Sequence, residues 1–299
     1  MQHKRLKRFG LLTAVLTALA VSTACAPADP ETAQPAQQLP AVDRTPFKST
    51  KAILDEDRGE VVLPLDKYSY TPEEFLLVNS AVAYLQEDCV KAAGQVMPVY
   101  GGDASVRQDL RFGQWSRPLA AKNGFLVEVR TIKGIYDSGA KSETEASRSA
   151  LNKCTTSVGR AGFPDLVPGM AGSDPTQSKI MNDSYALTVR DPEFVEFRKK
   201  WVKCIDDKGI KLGSQDSGSW APDYSGAPKE VEIKAALETL DCKEQSGGVS
   251  LPYDIFAQYQ AALIKKHQAS LNQLAKEKSD ATTRARTILR EHGVSDARL

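Results

Sequence analysis

The sequence predicts a mainly α-helical fold with a small β-prone hairpin or sheet: duplicated disulfide-stapled helix pairs followed by a long C-terminal helix. Three observations carry this reading. Apolar residues recur at steps of three and four, most clearly in Phe194, Phe197, Trp201 and Cys204, which places them on one helix face. Helix starts carry a capping residue, a proline and an acid, as in Thr71-Pro72-Glu73-Glu74 and Asp191-Pro192-Glu193. Cysteine and glycine repeat one spacing, Cys-x4-Gly, in Cys89/Gly94 and Cys204/Gly209.

Taken in order, the chain opens with Lys4, Arg5, Lys7 and Arg8, then an apolar run from Phe9 to Val21 broken only by Thr13 and Thr17. Ser22-Thr23-Ala24 leads directly to Cys25. A run of this length is too short to span a bilayer comfortably, and its flanks are those of an export signal. Residues 1–24 therefore read as a lipoprotein signal peptide, with the mature chain beginning at a palmitate-bearing, lipidated Cys25. Ser22 stands where a leucine is usual, so ordinary signal-peptidase cleavage after Ala24 or Ala26 stays open. Residues 25–60 read as the anchor site and a disordered tether, because Ala26 to Pro46 is rich in Ala, Pro and Gln and nearly lacks large apolar residues.

Residues 61–160 form the first predicted helix-pair repeat. Val61 to Leu65 is a short edge strand or an extended strap, since Pro64 excludes a central strand. Thr71 and Glu74 complete a capping box for a helix carrying Phe75, Val78, Val82, Leu85 and Cys89, which Gly94 stops. The long insertion that follows holds Val96 to Tyr100 and Gly124 to Val129, a candidate β pairing. Ser142-Glu-Thr-Glu145 opens the second helix, which runs to Cys154.

A Gly/Pro-rich connection occupies 161–190. The second repeat, 191–248, begins with the Phe194–Gly209 helix, and Ser225-Gly-Ala-Pro228 introduces its second helix, which ends at Cys242. Ser-Gly-Ala precedes the second helix of both repeats, at Ser138 and Ser225, and the order of such matches suggests an internal duplication. Residues 249–299 carry a single long helix over Asp254 to Glu291, whose apolar stripe thins after Leu274 so that its end projects or frays.

Five cysteines is an odd number for an exported chain. Assigning Cys25 to lipid leaves Cys89, Cys154, Cys204 and Cys242, an even set suited to two disulfides outside the cytoplasm. Four cysteines allow three connectivities; duplication favours pairing within each repeat, as Cys89–Cys154 and Cys204–Cys242. The formal charge of +1 includes the four basic signal residues, without which 35 Lys+Arg face 38 Asp+Glu. That balance argues against a nucleic-acid partner, which would need a basic excess or stripe.

Several of these elements together resemble a group of exported lipoproteins of actinobacteria. The residues concerned are Trp201-x-x-Cys204-x4-Gly209, then Glu230, Ala236 and Asp241-Cys242, and finally Tyr259-Gln260-x-x-Leu263-Ile264. Arg111-Phe112-Gly113 and Ala120-x3-Gly124-Phe125 are similar to further elements of the same group, and the match runs over much of residues 71–274. The resemblance implies a membrane-anchored envelope lipoprotein in the setting of transporters or cell-wall factors. It supplies no catalytic residues.

The residues suggest no enzyme chemistry of their own. His267 is the one histidine in the predicted body, and no Ser or Cys motif accompanies it. No His-x-Glu, His-Glu-x-x-His or Cys-x-x-Cys spacing points to a metal, and no cofactor is expected. Glu87-Asp88 and Asp206-Asp207 are paired carboxylates, but adjacent residues on a helix point in different directions. Arg111, Phe112, Trp115, Arg117 and Phe125 form the candidate partner-binding set, because aromatics with arginine favour recognition; the competing reading is that these rings pack between helices. The expectation is a non-catalytic binding or assembly module on the extracytoplasmic face of the cell membrane. Its partners would be the membrane, through Cys25, and an envelope protein or cell-wall component. The alternative is an envelope hydrolase acting on wall glycan or peptide.

Overall fold

In the computed structural model, which describes residues 39–158, 163, 174–213, 220, 222, 224 and 226–295, helices form the body and the strands are peripheral. The expected signal segment, Cys25, the first part of the expected tether and most of residues 159–173 lie outside the described residues. The elements in order are β1 (Ile53–Asp55), β2 (Glu60–Val62), α1 (Pro72–Ala92), β3 (Ala104–Arg107), α2 (Arg117–Asn123) and β4 (Val129–Ile132). They are followed by α3 (Glu145–Val158), α4 (Pro175–Thr188), α5 (Pro192–Asp207), α6 (Lys229–Ser246), α7 (Leu251–Lys266) and α8 (Gln268–Glu291). No described helix is long and apolar enough to cross a membrane.

Local signals account for the helix starts. Thr71 accepts from the Glu74 N–H while the Glu74 carboxylate accepts from the Thr71 N–H, the reciprocal box expected from the sequence. Asp191 caps α5 through the Glu193 N–H at 2.9 Å. Gly94 and Gly209, at φ +71° and +76°, take the left-handed conformation just past α1 and α5. Disulfides join α1 to α3 through Cys89–Cys154 and α5 to α6 through Cys204–Cys242, with Cα separations of 5.8 and 5.6 Å. The two helix pairs are thus each stapled. They are not independent of each other, because α2, in the segment between the first two cysteines, packs on α6.

The centre of the fold is α7. Every residue from Pro252 to Ile264 except Ala261 is buried, polar ones included. Such burial requires a partner for each polar group, and they are present. The Gln260 side-chain oxygen accepts from the Leu65 N–H, and the Tyr259 hydroxyl donates to Asp191 at 2.8 Å. Asp254 accepts from Lys51 and from the Ala52 N–H. Helix α7 lies against α4 and α5, while α1 sits between α3 and α8.

Six expectations from the sequence are corrected by the structure. The segment expected to be a disordered tether is fastened from residue 39 onward. Arg44 is buried and forks onto Asp191 at 2.6 and 2.7 Å, with Glu193 and Gln258 completing its donors. Charge-assisted, bidentate bonding holds this strap, and Val42 beside it packs against the core. Next, the strands of the second sheet are displaced from the expected pairing of 96–100 with 124–129: β3 pairs antiparallel with β4, Ala104 facing Ile132 and Arg107 facing Val129. Gly124 instead ends α2, and the Phe125 N–H donates to Glu232 of α6, so that stretch is committed to a helix contact.

The third correction concerns α3, whose cap is Thr144 rather than Ser142. The Thr144 hydroxyl accepts from Ser147 N–H, and the Ser147 hydroxyl accepts from Thr144 N–H. Fourth, the segment 161–190 expected to be a connection contains a helix, α4, capped by Asp174 and opened by Pro175. The signal was the same cap-Pro pair that marked α5, surrounded by glycines and prolines that read as loop. Fifth, the long C-terminal helix is broken at His267, whose φ/ψ of −111°/19° leaves the helical region. The break lets α7 stay in the centre while α8 turns to cover α1.

The end of α8 is packed, not frayed. Ile288 and Leu289 are buried, and His292 bridges the Ile288 carbonyl and Asp88 of α1 at 2.7 and 2.9 Å. Burial lowers the His292 pKa, but the Ile288 carbonyl and the Asp88 carboxylate outweigh it, so it lies above the ordinary value. A raised folded-state pKa means that this stabilisation is complete below the unfolded value near 6.5 and is lost as pH rises through the folded one. Between pH 6 and pH 8 the wild type should therefore lose stability relative to His292→Gln. Urea unfolding of both proteins at the two pH values measures this, and parallel pH dependence would remove the bridge from the account.

Candidate functional site

The aromatic loop singled out in the sequence lies inside the protein. Phe112 is fully buried, with its ring 5.0–6.0 Å from those of Tyr185, Phe194, Trp220, Tyr253 and Phe256. Trp115 is also buried, and its indole N–H donates to the Asp109 carbonyl at 2.5 Å. The Arg111 guanidinium lies 4.7 Å from the centre of the Phe256 ring. Phe125 stacks on Tyr224 at 5.5 Å and is half-buried. Of the five candidates only Arg117 projects as a surface charge, where it pairs with Asp241 at 2.6 Å. Phe112 and Trp115 are therefore core, because α5 and α7 converge on this loop and remove its rings from solvent.

Beneath the loop sits a residue that sequence reasoning missed. Lys243, on α6 next to Cys242, is fully buried and donates to the Phe112 and Gln114 carbonyls at 2.5 and 2.7 Å. Its ammonium site lies 5.2 Å from the Trp220 ring centre and 5.7 Å from that of Trp201. Burial, helped by the nearby Arg198 guanidinium, pulls the amine down to about 7. Nothing local announces this. A lysine after an Asp-Cys pair near a helix end reads as exposed, and its burial depends on a loop more than a hundred residues away.

The paired carboxylates are each engaged in an ion pair. Glu87 pairs with Lys91 at 3.0 Å and Asp88 with His292; Asp207 pairs with Lys203 at 2.6 Å and Asp206 with Lys211. His267 occupies the joint between α7 and α8, its backbone N–H donating to the Leu263 and Ile264 carbonyls. Among the described residues no group of three or more His, Cys, Asp or Glu is placed to hold a metal ion.

One open cleft brings chemistry-bearing side chains together. It encloses about 770 Å³ between α1 and two loops, residues 99–103 and 133–137. Tyr84, Tyr100 and Tyr136 line it along with Asp103, Lys133 and Asp137. The Tyr136 ring stands edge-on to Tyr84 at 4.8 Å and to Tyr100 at 5.8 Å. The loops are locked to each other. Ser138 N–H donates to the Tyr100 carbonyl at 2.9 Å, and Asp103 accepts from Gly134 N–H at 3.0 Å and from Lys133 at 2.7 Å. A Cβ at Gly134 would collide with the Gly102 carbonyl, so only glycine permits this approach. The convergence of three tyrosines from α1 and two loops has no signature in the sequence.

The fold and cleft together define a disulfide-stapled, mainly helical body with a preorganised polar–aromatic recess on its surface. No protein-family model matches the chain, and no curated protein or solved structure is significantly similar to it.

Proposed function

We propose that the chain is a lipid-anchored, non-catalytic binding module on the extracytoplasmic face of the cell membrane, serving a transporter or a cell-wall complex. The observation that carries the reading is the disposition of the cysteines. Four of the five are paired within the body, which leaves Cys25, behind a signal-like segment, as the single thiol free for a lipid. Two disulfides also accord with an oxidising compartment. The resemblance to exported actinobacterial lipoproteins points the same way.

The test is metabolic labelling with a clickable palmitate analogue in a bacterium that processes lipoproteins. The full-length chain should take up label and sediment with membranes, and Cys25→Ala should lose the label and be released. An unlabelled wild-type chain recovered in the soluble fraction would overturn the proposal. Crosslinking of the anchored protein in intact cells would then identify the complex it serves.

A further inference from the structure

We propose that the cleft bounded by Tyr84, Tyr100 and Tyr136 binds an uncharged oligosaccharide, through aromatic contact with the sugar's C–H faces and hydrogen bonds to its hydroxyls. This deepens the reading of the chain as an envelope binding module by assigning that module a ligand class.

Size is the first argument. A recess of about 770 Å³ falls within the roughly 300–1,000 Å³ range of small-molecule sites, and it is open enough to admit a chain of rings. Chemistry is the second. Tyrosine combines an apolar ring, whose electron-rich face attracts C–H groups, with a hydroxyl that donates and accepts. The cleft adds acceptors in Asp103 and Asp137 and a donor in Lys133. A sugar hydroxyl is both donor and acceptor, so a mixed set of this kind suits a polyhydroxyl ligand better than a ligand of one sign.

Charge excludes the nearest alternatives. Two carboxylates against one ammonium give the cleft a net negative character, which disfavours an anion. A quaternary ammonium would need ring faces surrounding it without a competing cation. Here the rings meet edge to face, and the Lys133 ammonium is held at the rim by Asp103.

Tyr136 supplies an independent observation. Its side chain is buried, and its hydroxyl has no hydrogen-bond partner among the described residues. Burial and the nearby Glu87 carboxylate raise its pKa, so the phenol keeps its proton and remains a donor. That hydroxyl is itself closed off from the cleft, so Tyr136 serves the site by bracing the Tyr84 and Tyr100 rings edge-on, at 4.8 and 5.8 Å. Preorganisation is the last argument: the interlocked loops and the adjoining Cys89–Cys154 staple hold the rings in place before any ligand arrives, which lowers the ordering cost of binding.

The experiment is calorimetric titration of the detergent-solubilised full chain with cellotetraose, chitotetraose and mannotetraose. Tetragalacturonate and choline serve as the charged comparisons. Saturable binding of at least one uncharged tetrasaccharide is expected, with tenfold or greater weakening in Tyr100→Ala and in Asp137→Asn and unchanged thermal unfolding of both variants. No binding across the uncharged panel overturns the proposal, as does preferential binding of tetragalacturonate or choline. Retained affinity in both variants moves the sugar elsewhere and equally overturns it. None of these outcomes bears on palmitate labelling at Cys25, so failure of the ligand assignment and failure of the anchored-module reading remain distinguishable.

Discussion

At pH 9, Lys243→Met is expected to unfold with a free energy about 2–4 kcal/mol below that of the wild type. Methionine fills the same volume and donates nothing, which leaves the Phe112 and Gln114 carbonyls without the amine that caps them; each buried polar group so abandoned costs about 1–3 kcal/mol. The gap should depend on pH. Burial and Arg198 hold the folded-state amine at about 7, far below the value of an unfolded lysine near 10.4. Between these values the unfolded chain binds the extra proton, so wild-type stability rises as pH increases from 7 towards 10 and the methionine variant lacks that rise. At pH 6 the wild type buries an ammonium, and the difference between the two proteins should shrink by about 2 kcal/mol or more. Urea unfolding at pH 6 and pH 9 decides the matter. A gap of equal size at both values would mean that Lys243 does not change protonation in the folded protein.

Removing either disulfide should have an effect of similar size. The Cys204–Cys242 bond spans a sequence separation of 38 and Cys89–Cys154 one of 65. Loop-closure entropy for such lengths corresponds to about 4 kcal/mol each, a large share of the 5–15 kcal/mol by which domains of this kind are stable. Double substitution to alanine avoids stray thiols. Cys204→Ala/Cys242→Ala should lower the guanidinium midpoint while keeping the helical signal, because Trp201 and Ile205 still bury the α5–α6 interface. Loss of less than 1 kcal/mol would show that packing at Trp201 suffices without the staple. The same arithmetic predicts poor yield of the body from a reducing cytoplasm and recovery on secretion.

Much of the helical framework was legible because its signals are local. Thr71-Pro72 and Asp191-Pro192 satisfy exposed N–H groups within a turn of themselves, and Gly94 and Gly209 stop their helices by backbone conformation alone. The same grammar was present at Asp174-Pro175 and Ser116-Arg117-Pro118, where helices form, but surrounding loop-like residues hid it. The candidate site was far less legible. Phe112 and Trp115 look identical in sequence whether they face a partner or α7, and the partners that bury them come from distant helices. Arg44 joins Asp191 across 147 positions and Lys243 reaches Phe112 across 131, separations at which no spacing rule operates.

The sequence by itself determined where α1 and α5 begin and end and which four cysteines form an even set. Each of these rests on groups that interact within one turn, or on counting alone. Only the tertiary structure decided that α7, polar residues included, occupies the centre, that the aromatic loop turns inward, and that three tyrosines separated in the chain meet at one cleft. Burial is a property of what surrounds a side chain. For Lys243, Arg44 and Tyr136, those surroundings are assembled only when the helices pack.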